Sequence, residues 1–153
     1  MPHFRLVQCD AAGAPVEPLV MPDALTQACA ASAALYARIG FASPWVSYIA
    51  VADDACVGGC AFVGAPNEGR VEIAYFTLPP FEGRGYARAS AAALVALARA
   101  AAPEVTVFAK TLPEHNSSTA ILQRLRFTHV GETQDDDIGV VWLWELVPTS
   151  GGV

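Results

Sequence analysis

The sequence predicts an α/β domain in which one mixed, mostly antiparallel sheet carries helices on both faces. Two observations predict it. Strand-like apolar runs and alanine-rich helical runs follow one another in the order β, α, β, β, β, α, β, α, β, β. Adjacent strands interleaved with helices build a mixed sheet covered on two sides. In addition, 153 residues that are 54% hydrophobic and 16% charged fill one sizeable core and are far too apolar for a disordered chain. One domain is expected over residues 1–147, with a disordered tail at 148–153.

Each element has its own signal. Residues 3–9 read as a first strand, and residues 10–18, rich in Gly, Pro and Ala, as a loop. Pro22-Asp23 opens a helix to Arg38, because proline suits a first helical turn and Leu25, Cys29, Ala33 and Tyr36 mark one apolar face. Gly40 stops it. Residues 45–52 and 57–64 read as antiparallel strands turning at Asp53-Asp54. The run 69–78 is apolar enough to be a central strand. Residues 86–101 are a helix ended by Pro103, residues 105–111 a strand, and residues 116–125 a short helix. Residues 127–134 and 138–147 form a closing hairpin around Asp135-Asp136-Asp137. Val140, Val141, Trp142 and Trp144 make its last strand apolar, as a dimer edge would be, so monomer and homodimer both stay open.

Composition excludes several function classes. The longest apolar run, residues 89–98, lies between Arg88 and Arg99 and is well short of the ~20 residues that span a membrane. Residues 1–10 carry no basic segment followed by an apolar one, so no leader and a cytoplasmic location are expected. A net charge of −6 with no basic stripe argues against nucleic acid. Cys9, Cys29, Cys56 and Cys60 are scattered among small residues and read as buried free thiols. Cys56 and Cys60 are four apart, but no second Cys/His pair completes a metal site, and no metal is expected.

The most informative stretch is Leu78-Pro79-Pro80-Phe81-Glu82-Gly83-Arg84-Gly85-Tyr86-Ala87-Arg88. It joins a central strand to a helix through a turn with two glycines. The first N–H groups of a helix lack intrahelical partners and lie at its positive end, so such a joint grips anions. Gly83 and Gly85 allow close backbone approach, and Arg84 and Arg88 add full charges. The plain alternative is an ordinary joint with solvent-exposed arginines. A nucleotide P-loop is excluded, since no Gly-Lys-Ser/Thr follows the glycines.

Three segments together resemble the GNAT family of N-acetyltransferases. Residues 82–87 resemble its acetyl-CoA diphosphate motif, Arg/Gln-x-x-Gly-x-Gly/Ala. Residues 113–127, with Asn116, Ser117, Ser118, Thr119 and Phe127, are similar to the Asn-x-x-Ser helix and Leu-Gly-Phe of the ribosomal-protein N-terminal acetyltransferase branch. The closing hairpin with Trp142 is the third. The chain departs from the pattern at Glu82, at Arg126 in place of glycine, at Thr119 in place of serine, and at Leu122, where many relatives carry a tyrosine general acid.

The resemblance implies the GNAT fold, with fourth and fifth strands splayed apart, and acetyl-CoA as cofactor. It implies that Glu82, Gly83, Arg84, Gly85, Tyr86, Ala87 and Arg88 hold the diphosphate and that the backbone of Tyr75, Phe76 and Leu78 bonds the pantetheine arm. Asn116 would touch the cofactor through its amide and Thr119 would lie near the sulfur; the plain alternative is that Asn, Ser and Thr here are ordinary N-caps ahead of a helix. Ser118 or Thr119 would return a proton to the thiolate. His115 beside them reads as a cap or a solvent-facing residue.

The reaction also needs a base. Glu72 is the one charge between Val71 and Leu78, on a strand expected to be buried, where apolar surroundings raise a carboxyl pKa. Its alternatives are a pair with Arg70 or another arginine, or plain solvation. An α-amine, with a pKa about 8, costs about 3 kcal/mol less to deprotonate than a lysine at about 10.4, so a weak base suits an α-amine or small amine. Tyr36, Phe41, Trp45 and Tyr75 are candidate acceptor-pocket aromatics or ordinary core, and Asp135 to Asp137 a cation-attracting or merely solvated turn. The implied partners are acetyl-CoA and an amine acceptor, small molecule or protein N-terminus. The alternative is a catalytically weak or inactive acyl-CoA-binding module.

Overall fold

The structure, a computed structural model, describes residues 3–148; the rest of the expected tail lies outside the described residues. The elements are β1 Phe4–Gln8, α1 Asp23–Ile39, β2 Ser47–Ala52, β3 Ala55–Phe62, β4 Arg70–Thr77, α2 Tyr86–Ala101, β5 Thr106–Thr111, α3 Ser117–Arg124, β6 Thr128–Asp135 and β7 Gly139–Leu146. A single 3₁₀ turn, Pro79–Phe81, unforeseen from the sequence, links β4 to the glycine turn. The seven strands form one sheet in the order β1-β2-β3-β4-β5-β7-β6. Every pairing is antiparallel except β4–β5.

Helices cover both faces, as strand alternation requires. Leu25 and Cys29 of α1 pack with Val7, Ile49 and Val51, while Tyr86 of α2 packs with Ala50, Ala52 and Val57 on the opposite face. The largest cluster joins Ala91, Leu94 and Ala98 of α2 to Val71, Ile73, Val107, Ala109, Leu122 and Trp144. Burying a Leu, Ile or Val side chain contributes about 1.5–3 kcal/mol, so this face carries much of the stability.

Two expectations are corrected. The second strand of the first hairpin starts at Ala55 rather than 57 and ends at Phe62, because Asp53, with φ 52°, turns the chain within two residues. The apolar last strand is no dimer edge: β7 pairs with β5 on one side and β6 on the other, leaving β6 outermost.

The parallel ladder holds only three rungs, Arg70↔Thr106, Val71↔Val107 and Glu72↔Phe108. Beyond them β4 continues to Thr77 and β5 to Thr111, unpaired with each other. The sheet is split open at its centre.

Candidate active site

Residues 82–88 form one wall of a cleft of about 840 Å³. Gly83 and Gly85 have φ of +79° and +85°, the left-handed region, and a Cβ on either would meet nothing within 4 Å. The glycines are there for conformation, and the space in front of them is open. Gly85 caps α2 with no side-chain hydrogen bond and no acidic residue in the first turn. Among the described residues, Ala89 is the first of this helix to donate backward, to Gly85 at 3.0 Å, so the N–H groups of Tyr86, Ala87 and Arg88 point free. Arg84, held over the Phe81 ring at 5.7 Å, and Arg88 bring charge to the same cleft. Glu82 lies there too, an opposing charge. Free amides at a helix start, two open glycines and guanidinium groups fit a diphosphate.

The cleft runs on to the split in the sheet, along Tyr75, Phe76 and Thr77. Glu72 C=O accepts from Val63 N–H at 2.9 Å and Leu78 N–H donates to Val57 at 2.8 Å, so even-numbered residues of β4 turn their backbone to β3. Gly69 C=O accepts from Thr106 N–H at 2.8 Å, so odd-numbered ones turn toward β5. Past the last rung, Ile73, Tyr75 and Thr77 therefore present backbone groups to the opening. The backbone contacts expected of Phe76 and Leu78 do not hold up, since strand alternation commits both to β3, and Leu78 is buried besides. Thr77 was missed, for want of any sequence signal for the direction of a strand's hydrogen bonds.

The far wall is the start of α3. Here Asn116 and Thr119 form a reciprocal cap. Asn116 Oδ1 accepts from Thr119 N–H at 3.1 Å, and Thr119 Oγ accepts from Asn116 N–H at 2.9 Å while donating to Asn116 C=O at 3.0 Å. Thr119 is 1% exposed and its proton is spent. Neither residue lines the cleft, whereas Ser117, Ser118, Ile121 and Arg124 do. Arg124 was missed because the approach of α2 to α3 brings it in, not its own neighbours in sequence. Leu122 is fully buried in the main cluster. The Tyr75 hydroxyl reaches Ser118 C=O at 3.4 Å, and burial pushes its pKa up to about 12.

A second cleft, of about 180 Å³, lies between α1 and the sheet. Leu25, Ala28 and Ser32 form its roof, and Gly59, Ala61 and Ala74 its floor. A Cβ on Gly59 would lie 2.9 Å from the Phe76 ring, so glycine lets that ring cross the cleft end. Tyr75 and Phe76 line both clefts, which meet at the split. Of the four expected pocket aromatics only Tyr75 lines a cleft. Tyr36 donates to Phe62 C=O from the core, Phe41 leans edge-on against Tyr36, and Trp45 packs edge-on against Phe62 at 5.0 Å.

Glu72 occupies the last rung of the parallel ladder, on the same face of β4 as Ala74 and Phe76. Its partner is a lysine, not an arginine: Lys110 Nζ lies 3.9 Å from its carboxylate and 3.5 Å from Asp135. Arg70 is taken by Glu145 and the face of Phe108. Burial raises the Glu72 pKa, with Lys110 pulling it down and Asp135 pushing it up. Asp135 is itself held below the usual range, first by the Asp137 N–H at 2.9 Å. His115 is exposed and lies edge-on to Trp142 at 5.1 Å.

Known proteins share this fold. A profile of the acetyltransferase (GNAT) domain matches residues 14–128. Among solved structures, the ribosomal-protein-S5-alanine acetyltransferase of Vibrio fischeri superposes with a TM-score of 0.72 at 12% identity, over 98% of this chain and 96% of that one. RimL, a ribosomal L7/L12 alpha-N-protein acetyltransferase, gives 0.66 at 15% identity over 94% and 92% in an apo form. Its complex with coenzyme A gives 0.65 at 18% identity over 84% and 74%. No curated protein matches the sequence. With the family profile spanning well over half its length and the split sheet and open glycine turn both in place, this chain belongs to the GNAT family of acetyl-CoA-dependent N-acetyltransferases.

Proposed function

We propose that the chain transfers an acetyl group directly to a primary amine, either the α-amine of a protein or peptide or the amine of a small molecule. The observation that carries this is the meeting of two clefts, one on each face of β4, at Tyr75 and Phe76. Glu72 lines neither cleft and stands further back on the same strand, at the last rung of the parallel ladder. Acetyl-CoA supplies the activated acyl thioester. The N–H groups of residues 83–88 with Arg84, Arg88 and Arg124 bind its diphosphate, and the backbone of Tyr75 and Thr77 orients the pantetheine arm. The acceptor enters from the α1 side, and Glu72, on the same face of β4 as Ala74 and Phe76 but set back from the cleft, takes the ammonium proton through water. Ser118, on the wall of the cofactor cleft, and the Tyr75 phenol are the hydroxyl donors left for the leaving sulfur, Thr119 being locked in its cap.

Transfer without an acyl-enzyme is favoured because no cysteine lines the cofactor cleft. The two that line the acceptor cleft, Cys29 and Cys60, are both held protonated: a hydrogen bond with Cys9 raises the first and burial raises the second to about 12. Glu72 is a modest base, which favours α-amines over lysine side chains. We place the reaction in the cytoplasm, in keeping with four unpaired thiols. Among the described residues no helix is long and apolar enough to cross a membrane.

A CoA-release assay over peptides with free α-amines, amino acids, polyamines and lysine peptides tests the reading. Turnover is expected with α-amines or small amines and little with lysine side chains. CoA binding with no turnover on any of them would replace the enzyme with a cofactor-binding module.

A further inference from the structure

Two nucleophilic side chains lie outside the transfer machinery and against each other. Cys9, just past β1, and Cys29, in the middle of α1, place their sulfurs 3.7 Å apart. Both are buried among Val7, Leu25, Ile49 and Val51. The backbone holds them there. Cys9 N–H donates to Ser47 C=O at 2.9 Å, and the following loop doubles back so closely that a Cβ on Gly13 would sit 2.6 Å from the Cys29 carbonyl. Cys29 and Ser47 also line the α1 cleft, which reaches open solvent past the exposed Ala74 and Phe76. The pair is chemically unequal. The S–H···S contact and the Ser47 hydroxyl draw the Cys9 thiol down to about 7, while the same contact keeps Cys29 protonated.

We infer that Cys9 and Cys29 are an oxidation site, forming an intramolecular disulfide when a hydroperoxide of hydrogen-peroxide size enters the α1 cleft. Cys29 passes its proton across the S–H···S contact to Cys9. The resulting Cys29 thiolate, at the cleft, bonds the nearer peroxide oxygen; the O–O bond breaks, and the departing hydroxide takes the proton from Cys9, leaving a sulfenic acid, one water and a Cys9 thiolate. Cys9, as thiolate, attacks that sulfur. The S–S bond forms as the S–O bond breaks, and the departing hydroxide takes a proton and leaves as a second water. Two thiols have lost two electrons and two protons, and the peroxide has become two waters. An S–S bond of about 2.05 Å requires the sulfurs to approach by roughly 1.7 Å, which draws α1 toward β1. That shift reshapes the α1 cleft and leaves the glycine turn, on the other side of β4, in place. This consequence for turnover rests on the acceptor role proposed above; the bond itself does not.

The test treats the full chain with hydrogen peroxide and reads thiols and peptides by mass spectrometry. The expected product has two fewer free thiols, a mass lower by two hydrogens, and one cross-linked peptide pair containing Cys9 and Cys29, all reversed by dithiothreitol. Cys9→Ser and Cys29→Ser each abolish the cross-link, and Cys56→Ser keeps it. Should either variant fold poorly, the wild-type peptide map decides. Oxygen adducts on Cys9 or Cys29 without a cross-link, a cross-link to Cys56 or Cys60, or four free thiols after Met21 has become sulfoxide would each overturn the inference. A disulfide that forms with acceptor turnover unchanged would instead overturn only its link to the cleft.

Discussion

Glu72 shows how a single residue's setting decides its role. It was visible in the sequence as the one charge on an apolar strand, but its partner was not, because Lys110 reaches it only through the β4–β5 register. Replacing Glu72 with Gln is expected to cut turnover about 10²-fold or more while leaving CoA affinity unchanged, measured by CoA release beside calorimetry. For the proposed base the working form is the carboxylate, so activity is expected to rise with pH through a pKa lifted above the ordinary glutamate value. Lys110→Met removes the charge that lowers that pKa, and the acid limb of the pH–rate profile should move to higher pH. A raised folded-state pKa favours folding below the unfolded pKa and loses that contribution as pH rises, so Glu72→Gln should not lower the melting temperature at neutral pH. An unmoved limb in Lys110→Met would remove Glu72 as the titrating base.

At the scale of elements, helix starts carry the site. The glycine turn before α2 was legible because two glycines, two arginines and a following alanine run leave few other structures. The start of α3 was legible as a helix, with Asn116 and Thr119 readable either as cofactor contacts or as caps, and the structure spends three of their hydrogen bonds on the cap. Asn116→Ala should cost about 1 kcal/mol of stability in urea unfolding, with only an indirect effect on cofactor affinity. Glu82 sets a negative charge among the groups proposed to receive the diphosphate. Glu82→Gln should therefore tighten CoA binding about two- to fivefold, and a weakening would show that Glu82 serves the site through some other contact. The last strand was read correctly as apolar but wrongly as an edge, because which strand of a closing hairpin returns to the sheet is a property of pairing, not of composition.

Among the described residues the molecule is a sheet whose only parallel ladder ends after three rungs, and that interruption gives two clefts a common point. The element order and fold class followed from periodicity and turn residues. The split was expected only from the family resemblance, since nothing in residues 70–77 or 106–111 distinguishes paired from parted strands. The measurement that bears most directly on the account is an amide NMR titration with CoA. Shifts concentrated at residues 83–88, with Tyr75 and Thr77 moving and Phe76 and Leu78 far less, are the predicted result. Saturating CoA that leaves those amides unmoved, or shifts confined to the α1 cleft, would contradict it.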